Sequence, residues 1–178
     1  PVVRAFEQRW REWIGTQFAV TTVNGTSALY SAYFGLGVGP GDEVICPVNT
    51  WICSIAPVLL LGARPVFCDI DPNTFTMDPI SLKERITERT KAVIPVHLFG
   101  MPADMDPIVT ISRHHGLCII EDAACAYGTY YKGRHAGRFG NCGAFSFHPR
   151  KSLTTGEGGM LVTDDRKLHD LVTLRSNH

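Results

Sequence analysis

Apolar residues along this chain fall into short unbroken runs. Between them lie stretches in which apolar positions recur every three or four residues. Seven runs read as strands: 18–25 (FAVTTVNG), the end of 39–47 (GPGDEVICP), 64–71 (RPVFCDID), 91–100 (KAVIPVHLFG), 117–122 (LCIIED), 142–148 (CGAFSFH) and 159–165 (GMLVTDD). Helical spacing appears at 4–14, where Phe6, Trp10, Trp13 and Ile14 share a face, and at 26–37, 78–86, 104–116 and 165–176. Residues 50–63 (TWICSIAPVLLLGA) read as one apolar helix, and Thr26 or Ser27 as the start of the helix after the first strand. Strands that are apolar without alternation are buried on both faces. The pattern therefore predicts an α/β fold, a mostly parallel sheet with helices on each side.

In an open sheet of this kind, ligands bind beyond the carboxyl ends of the strands. The polar residues of interest cluster there: NGTS after the first strand, NTW after the second, ED ending the fifth and HPRK after the sixth. Gly25, Thr26 and Ser27 open a helix, where free N–H groups and hydroxyls suit an anion, although Thr and Ser also serve as plain caps. Trp51 reads either as core or as a platform for a planar ligand. Asp122, ending a buried strand, needs a partner; it reads as the holder of a cationic ring nitrogen or as a cap for the segment that follows. Ser146 and Lys151 flank Pro149, which prevents a regular helix, so both can reach one pocket from a strand and loop. Lys151 is either a solvated loop cation or a nucleophile. Glycines at 156, 158 and 159 permit close backbone approach. Together these groups describe one ligand: a planar cationic ring with a phosphate and an aldehyde that needs an amine. Pyridoxal phosphate (PLP) has that chemistry.

Composition narrows the picture further. A chain of 178 residues is long enough for one domain with a core. Seventeen basic and seventeen acidic residues leave no net charge, which argues against nucleic acid or an anionic membrane as partner. The longest apolar run, 54–63, contains Pro57 and falls short of the ~20 residues that span a bilayer. Six scattered cysteines without a CxxC pair fit reduced thiols of a cytosolic protein better than a zinc site or a disulfide framework. Neither GxGxxG nor GxxxxGK[ST] occurs, so nothing supports a nucleotide-binding loop of those kinds. The chain starts at Pro1 and stops within a helical pattern, which is expected of a piece of a longer protein.

The ordered segments NGTSALYSAYFGLGVGPGDEVICP, NTWICSIAPVLLLGARPVFCDIDPNTFTMDP, RTKAVIPVHLFGMPADM, IIEDAACAYGTYYKGRHAGRFGNCGAFSFHPRKSLTTGEGGMLVTDD and LRSNH carry a resemblance across essentially the whole chain. It resembles the DegT/DnrJ/EryC1/StrS family, the PLP-dependent sugar aminotransferases of fold type I. The resemblance implies that residues 1–178 form the PLP-binding large domain, a three-layer α/β/α unit with a mostly parallel mixed sheet, without the smaller C-terminal domain. By the same resemblance, Lys151 matches the Schiff-base lysine and Asp122 the acid that pairs with the pyridine nitrogen. Ser146 matches a phosphate-binding serine, Gly25, Thr26 and Ser27 the phosphate cup, and Trp51 the aromatic stacked on the ring.

Cys125 stands where the family often has Gln or His beside the cofactor's phenolic oxygen, and a thiol is a weaker donor. Asn24 stands where a Ser often precedes Gly-Thr. The function implied is transfer of an amino group from L-glutamate or L-glutamine to a nucleotide-linked keto-deoxy sugar. A homodimer with shared active sites in the bacterial cytoplasm is implied as well, and a chain of this length alone is expected to be inactive. Two alternatives are a regulatory or inactive member and the sugar-dehydratase branch. In that branch a His replaces the lysine; Lys151 argues against it, and His148 reads as a loop residue.

Overall fold

Continuous apolar strands can be buried only if both faces of the sheet are covered. The structure, a computed structural model that describes residues 2–176, meets this with helices on both sides. The elements run α1 (Val2–Ile14), β1 (Phe18–Thr22), α2 (Gly25–Gly35), β2 (Glu43–Pro47), α3 (Ala56–Leu60), β3 (Arg64–Cys68) and α4 (Pro79–Glu84). They continue with β4 (Thr90–Val93), α5 (Met105–His114), β5 (Cys118–Asp122), β6 (Tyr130–Tyr131), β7 (Arg134–His135), β8 (Cys142–Ser146), β9 (Gly159–Thr163) and α6 (Arg166–Ser176). The seven-stranded sheet has the order β1-β9-β8-β5-β4-β2-β3. Only β9 opposes its neighbours, so the sheet is mixed and mostly parallel, as expected.

Strand side chains alternate between faces, and the core divides accordingly. Val44, Cys46, Ala92, Ile94, Ile120, Ala144 and Leu161 pack with Leu29 and Tyr33 of α2, Val58 of α3 and Leu168 of α6. Ile45, Val93 and Ile119 face the other way, onto Leu82 of α4 and Met105 and Ile108 of α5. Trp10 of α1 also covers this second side. Its ring lies 5.3 Å from that of Phe145 and 4.8 Å from that of Phe147, which brace the end of β8 that carries Ser146.

Four sequence expectations need correction. The helix expected over 50–63 is a 3-10 turn at Ile52–Ser54 followed by the short α3. Pro57 sits in the first turn of α3; it lacks an N–H and cannot lie inside a longer helix, so the helix restarts. Asn24, not Thr26 or Ser27, caps α2, its side chain accepting from Ser27 N at 2.8 Å. Strand β4 ends at Val93, well before residue 100. The hairpin of β6 and β7 was not anticipated; it turns at Lys132 and Gly133, both at positive φ. Trp13, placed on the buried face of α1, is 47% exposed, while Trp10 and Ile14 are buried. Of the resembling segment LRSNH, residues 177 and 178 lie outside the described residues.

Candidate active site

The carboxyl rim of the sheet collects the expected residues. Strand β1 delivers Asn24 and the start of α2, β2 leads to Thr50 and Trp51, β5 ends at Asp122, and β8 ends at Ser146 with Lys151 in the following loop. Strand alternation decides which way each acid of β5 points. Asp122 shares the parity of Ile120 and faces α2; Glu121 shares that of Ile119 and faces away.

The start of α2 and the end of β8 touch. A Cβ at Gly25 would lie 2.7 Å from Ser146 Cβ, so only glycine allows this approach. The first backbone N–H groups of an eleven-residue helix therefore stand beside the Ser146 hydroxyl. Because Asn24 caps the helix, the half-buried Thr26 and Ser27 hydroxyls are not the cap. This is a cradle of N–H and O–H donors, suited to a phosphate dianion. Ser146 also anchors the neighbourhood: its carbonyl accepts the Tyr127 hydroxyl and its Oγ accepts His148 N at 3.4 Å. Across the rim, a Cβ at Gly159 would lie 2.4 Å from the Asn24 carbonyl, so the close backbone approach expected at 156, 158 and 159 holds at Gly159, whereas a Cβ at Gly156 would meet nothing within 4 Å.

Asp122 is 6% exposed and accepts from Ser54 Oγ at 2.6 Å (Oδ2) and from Ala124 N at 3.1 Å (Oδ1). The residues after it form turns rather than a helix, so its capping contact is local. Lys151 is half-buried, its own N–H donates to His148 O at 2.9 Å, and its Nζ donates to Cys125 Sγ at 2.9 Å. The amine thus points back toward the turn after β5 and does not lie among solvated loop cations. Trp51 is 74% exposed, which overturns the reading of it as core and leaves its ring open at the rim. His148 is a loop residue, 3.7 Å from Glu157 of the same loop.

Four residues escaped the sequence reading. Asn24 was treated only as a departure. Ser54 and Thr50 lie in the segment taken for a plain apolar helix, and only the fold brings Ser54 to Asp122. Glu121 was passed over beside its neighbour. It is fully buried and accepts Gly137 N, Phe139 N and Gly140 N at 2.6, 2.6 and 2.7 Å, and faces His97 Nε2 at 3.0 Å. Since His97 Nδ1 accepts Ala103 N, Nε2 carries the ring proton that Glu121 receives. All six cysteines are free thiols, and among the described residues no helix is long and apolar enough to cross a membrane.

The donor set fits PLP. A lysine amine, a buried carboxylate, an exposed indole and a cradle of N–H and O–H donors stand on one rim, matching an aldehyde, a ring nitrogen, a ring face and a phosphate. Comparison with known proteins bears on the family and the fold. The chain is 48% identical to GDP-perosamine synthase of Caulobacter vibrioides over 163 residues, covering 92% of this chain and 44% of that protein. It is 46% identical over 178 residues to the spore coat polysaccharide biosynthesis protein SpsC of Bacillus subtilis, covering 100% of this chain and 46% of that protein. The fold superposes with a TM-score of 0.94 on DesV of S. venezuelae, solved in complex with a ketimine intermediate, at 44% identity, covering 98% of this chain and 48% of that one. The chain therefore spans about half the length of the relatives it matches. The model of the DegT/DnrJ/EryC1/StrS aminotransferase family matches residues 1–178, and the chain belongs to that family.

Proposed function

We propose that the protein is a PLP-dependent aminotransferase that moves an amino group from L-glutamate or L-glutamine to a nucleotide-linked keto-deoxy sugar. The observation that carries this reading is the convergence at the rim of the Lys151 amine, the buried Asp122 carboxylate and the Gly25–Ser146 cradle. PLP, when bound, supplies an aldehyde and a ring that accepts electrons. Lys151 is the amine that holds the aldehyde carbon covalently. With its amine free, Lys151 would be placed to take and return a proton as base and then acid. Asp122 keeps a proton on the ring nitrogen. Gly25, Thr26, Ser27 and Ser146 take the phosphate, Trp51 covers a face of the ring, and Cys125 stands beside the phenolic oxygen.

The names of GDP-perosamine synthase and of a spore coat polysaccharide protein support a nucleotide-linked sugar for surface polysaccharide as the acceptor. A cytoplasmic homodimer that builds each site from both subunits completes the proposal.

The test is an absorbance spectrum of the full-length protein with PLP, before and after L-glutamate or L-glutamine. A visible band that converts to a near-ultraviolet one with either donor is expected, and Lys151→Ala should lose both the band and turnover. A band unmoved by both donors, or steady transamination by Lys151→Ala, would overturn the assignment.

A further inference from the structure

The α2-facing side of Asp122 carries a chain of hydroxyls that the proposed roles leave unused. Ser54 Oγ lies 2.6 Å from Asp122 Oδ2, and Thr50 Oγ1 lies 2.6 Å from Ser54 Oγ. A carboxylate only accepts, so the single Ser54 proton is committed to Asp122. The Thr50 contact must then run the other way, with Thr50 donating to Ser54. The relay has one direction: Thr50 to Ser54 to Asp122.

Its middle member is held in place. Ser54 is fully buried and its carbonyl accepts the Tyr33 hydroxyl at 2.8 Å, which ties the 3-10 turn to α2. Burial, with Asp122 nearby, pushes the Tyr33 hydroxyl well up. Burial and then Asp122 push the Cys46 thiol up likewise. Both stay protonated and leave Asp122 as the carboxyl group of this face, while Glu121 is turned to the other face with His97.

We propose that Ser54, backed by Thr50, is a positioning residue that fixes the Asp122 carboxylate and moderates its basicity, so that the proton it shares with the cofactor stays on the ring nitrogen. This rests on the reading of Asp122 as the partner of that nitrogen. A donor to a carboxylate stabilises its charged form; without the donor the carboxylate draws the shared proton toward itself. A ring that loses its proton accepts electrons less well.

The experiment compares Ser54→Ala, Ser54→Thr and Thr50→Val in the full-length protein loaded with isotope-labelled PLP. In Ser54→Ala the ring-nitrogen NMR signal should move toward the unprotonated value. The pH midpoint of the visible band should rise, and kcat should fall roughly ten- to a hundredfold with KM little changed. Ser54→Thr, which keeps the hydroxyl, should restore all three. Thr50→Val should shift them in the same direction by less, and at its half-buried position it keeps the proposal testable if Ser54→Ala does not fold. An unchanged ring-nitrogen signal and pH midpoint in Ser54→Ala would overturn the proposal whatever its kcat, because Ser54 would then be packing alone. If the parent protein takes up no PLP, the proposed function fails separately. The relay is then judged by the Asp122 carboxyl-carbon NMR signal in cofactor-free protein, which Ser54→Ala must move.

Discussion

Glu121 and Asp122 are neighbours on β5, both buried, and differ in how completely they are satisfied. A carboxylate offers about four acceptor positions. Glu121 fills them with three backbone N–H groups of residues 137–140 and the ring of His97. Asp122 accepts from Ser54 and Ala124 alone among the described residues. One acid is saturated by its own chain and shapes a loop. Its neighbour, turned to the other face by strand alternation, keeps acceptor capacity at the rim where ligands bind. A buried carboxylate left partly unsatisfied is costly in the absence of a partner, and that cost is what a cationic ligand atom would relieve.

The sharpest way to break the comparison is Asp122→Asn. Turnover of the full-length enzyme should fall on the order of a hundredfold or more. PLP should remain bound, and stability should change by about 1 kcal/mol or less, since the amide oxygen can keep Ala124 N while its NH2 donates to Ser54 Oγ, whose own proton can turn to Thr50. A mild kinetic effect would reduce Asp122 to a turn cap.

Glu121→Gln should do the reverse. An amide NH2 would face backbone N–H donors, leaving buried groups unpaired at a cost of about 3 kcal/mol. The thermal midpoint should drop by about 6–12 °C. Turnover per folded molecule should change less than tenfold. Equal kinetic damage in both variants, with no loss of stability in Glu121→Gln, would erase the distinction.

Gly25→Ala tests the cradle opposite Asp122. The added Cβ, 2.7 Å from Ser146 Cβ, must push α2 away at a cost of about 1–3 kcal/mol. PLP affinity, measured by titration of the visible band, should weaken by about tenfold for each 1.4 kcal/mol that falls on the bound state. Unchanged affinity would mean that the close approach serves packing rather than phosphate.

The smallest effect concerns Glu43, a third buried acid at the opposite end of the sheet. The Thr87 hydroxyl, 2.6 Å from Glu43, holds its carboxyl below the usual range against the opposing effect of burial, with help from Arg89. A depressed folded value means stability that is fully present above about pH 4.5 and is lost as pH falls through the folded value. Thr87→Val should therefore make the acid limb of a stability–pH curve shallower and leave the cofactor spectrum unaltered. A steeper limb would contradict the sign.

The alternation of apolar runs and helical stretches made the layered parallel sheet legible, because burial on both faces leaves a mark in composition that no local detail disturbs. The rim residues were legible for the same reason: polar groups directly after buried strands have few structural uses. The hydroxyl relay was hidden because Ser54 and Asp122 are 68 residues apart and meet only through the β2–β4–β5 order. The helix expected over 50–63 failed at Pro57, where apolar periodicity outweighed the missing N–H. The β6–β7 hairpin was missed because Lys132-Gly133 is a weaker turn signal than Asn-Gly. The separate fates of Glu121 and Asp122 follow from strand parity, which needs the faces of the sheet to be known first.

Borohydride reduction of the PLP-loaded full-length protein, followed by peptide mass mapping, tests the central claim most directly. The account predicts that the reduced cofactor is fixed to the peptide containing Lys151, and that Lys151→Ala takes no label. Label on another lysine, such as Lys91 or Lys132, would contradict it, as would the absence of any label on a protein whose visible band responds to amino donors.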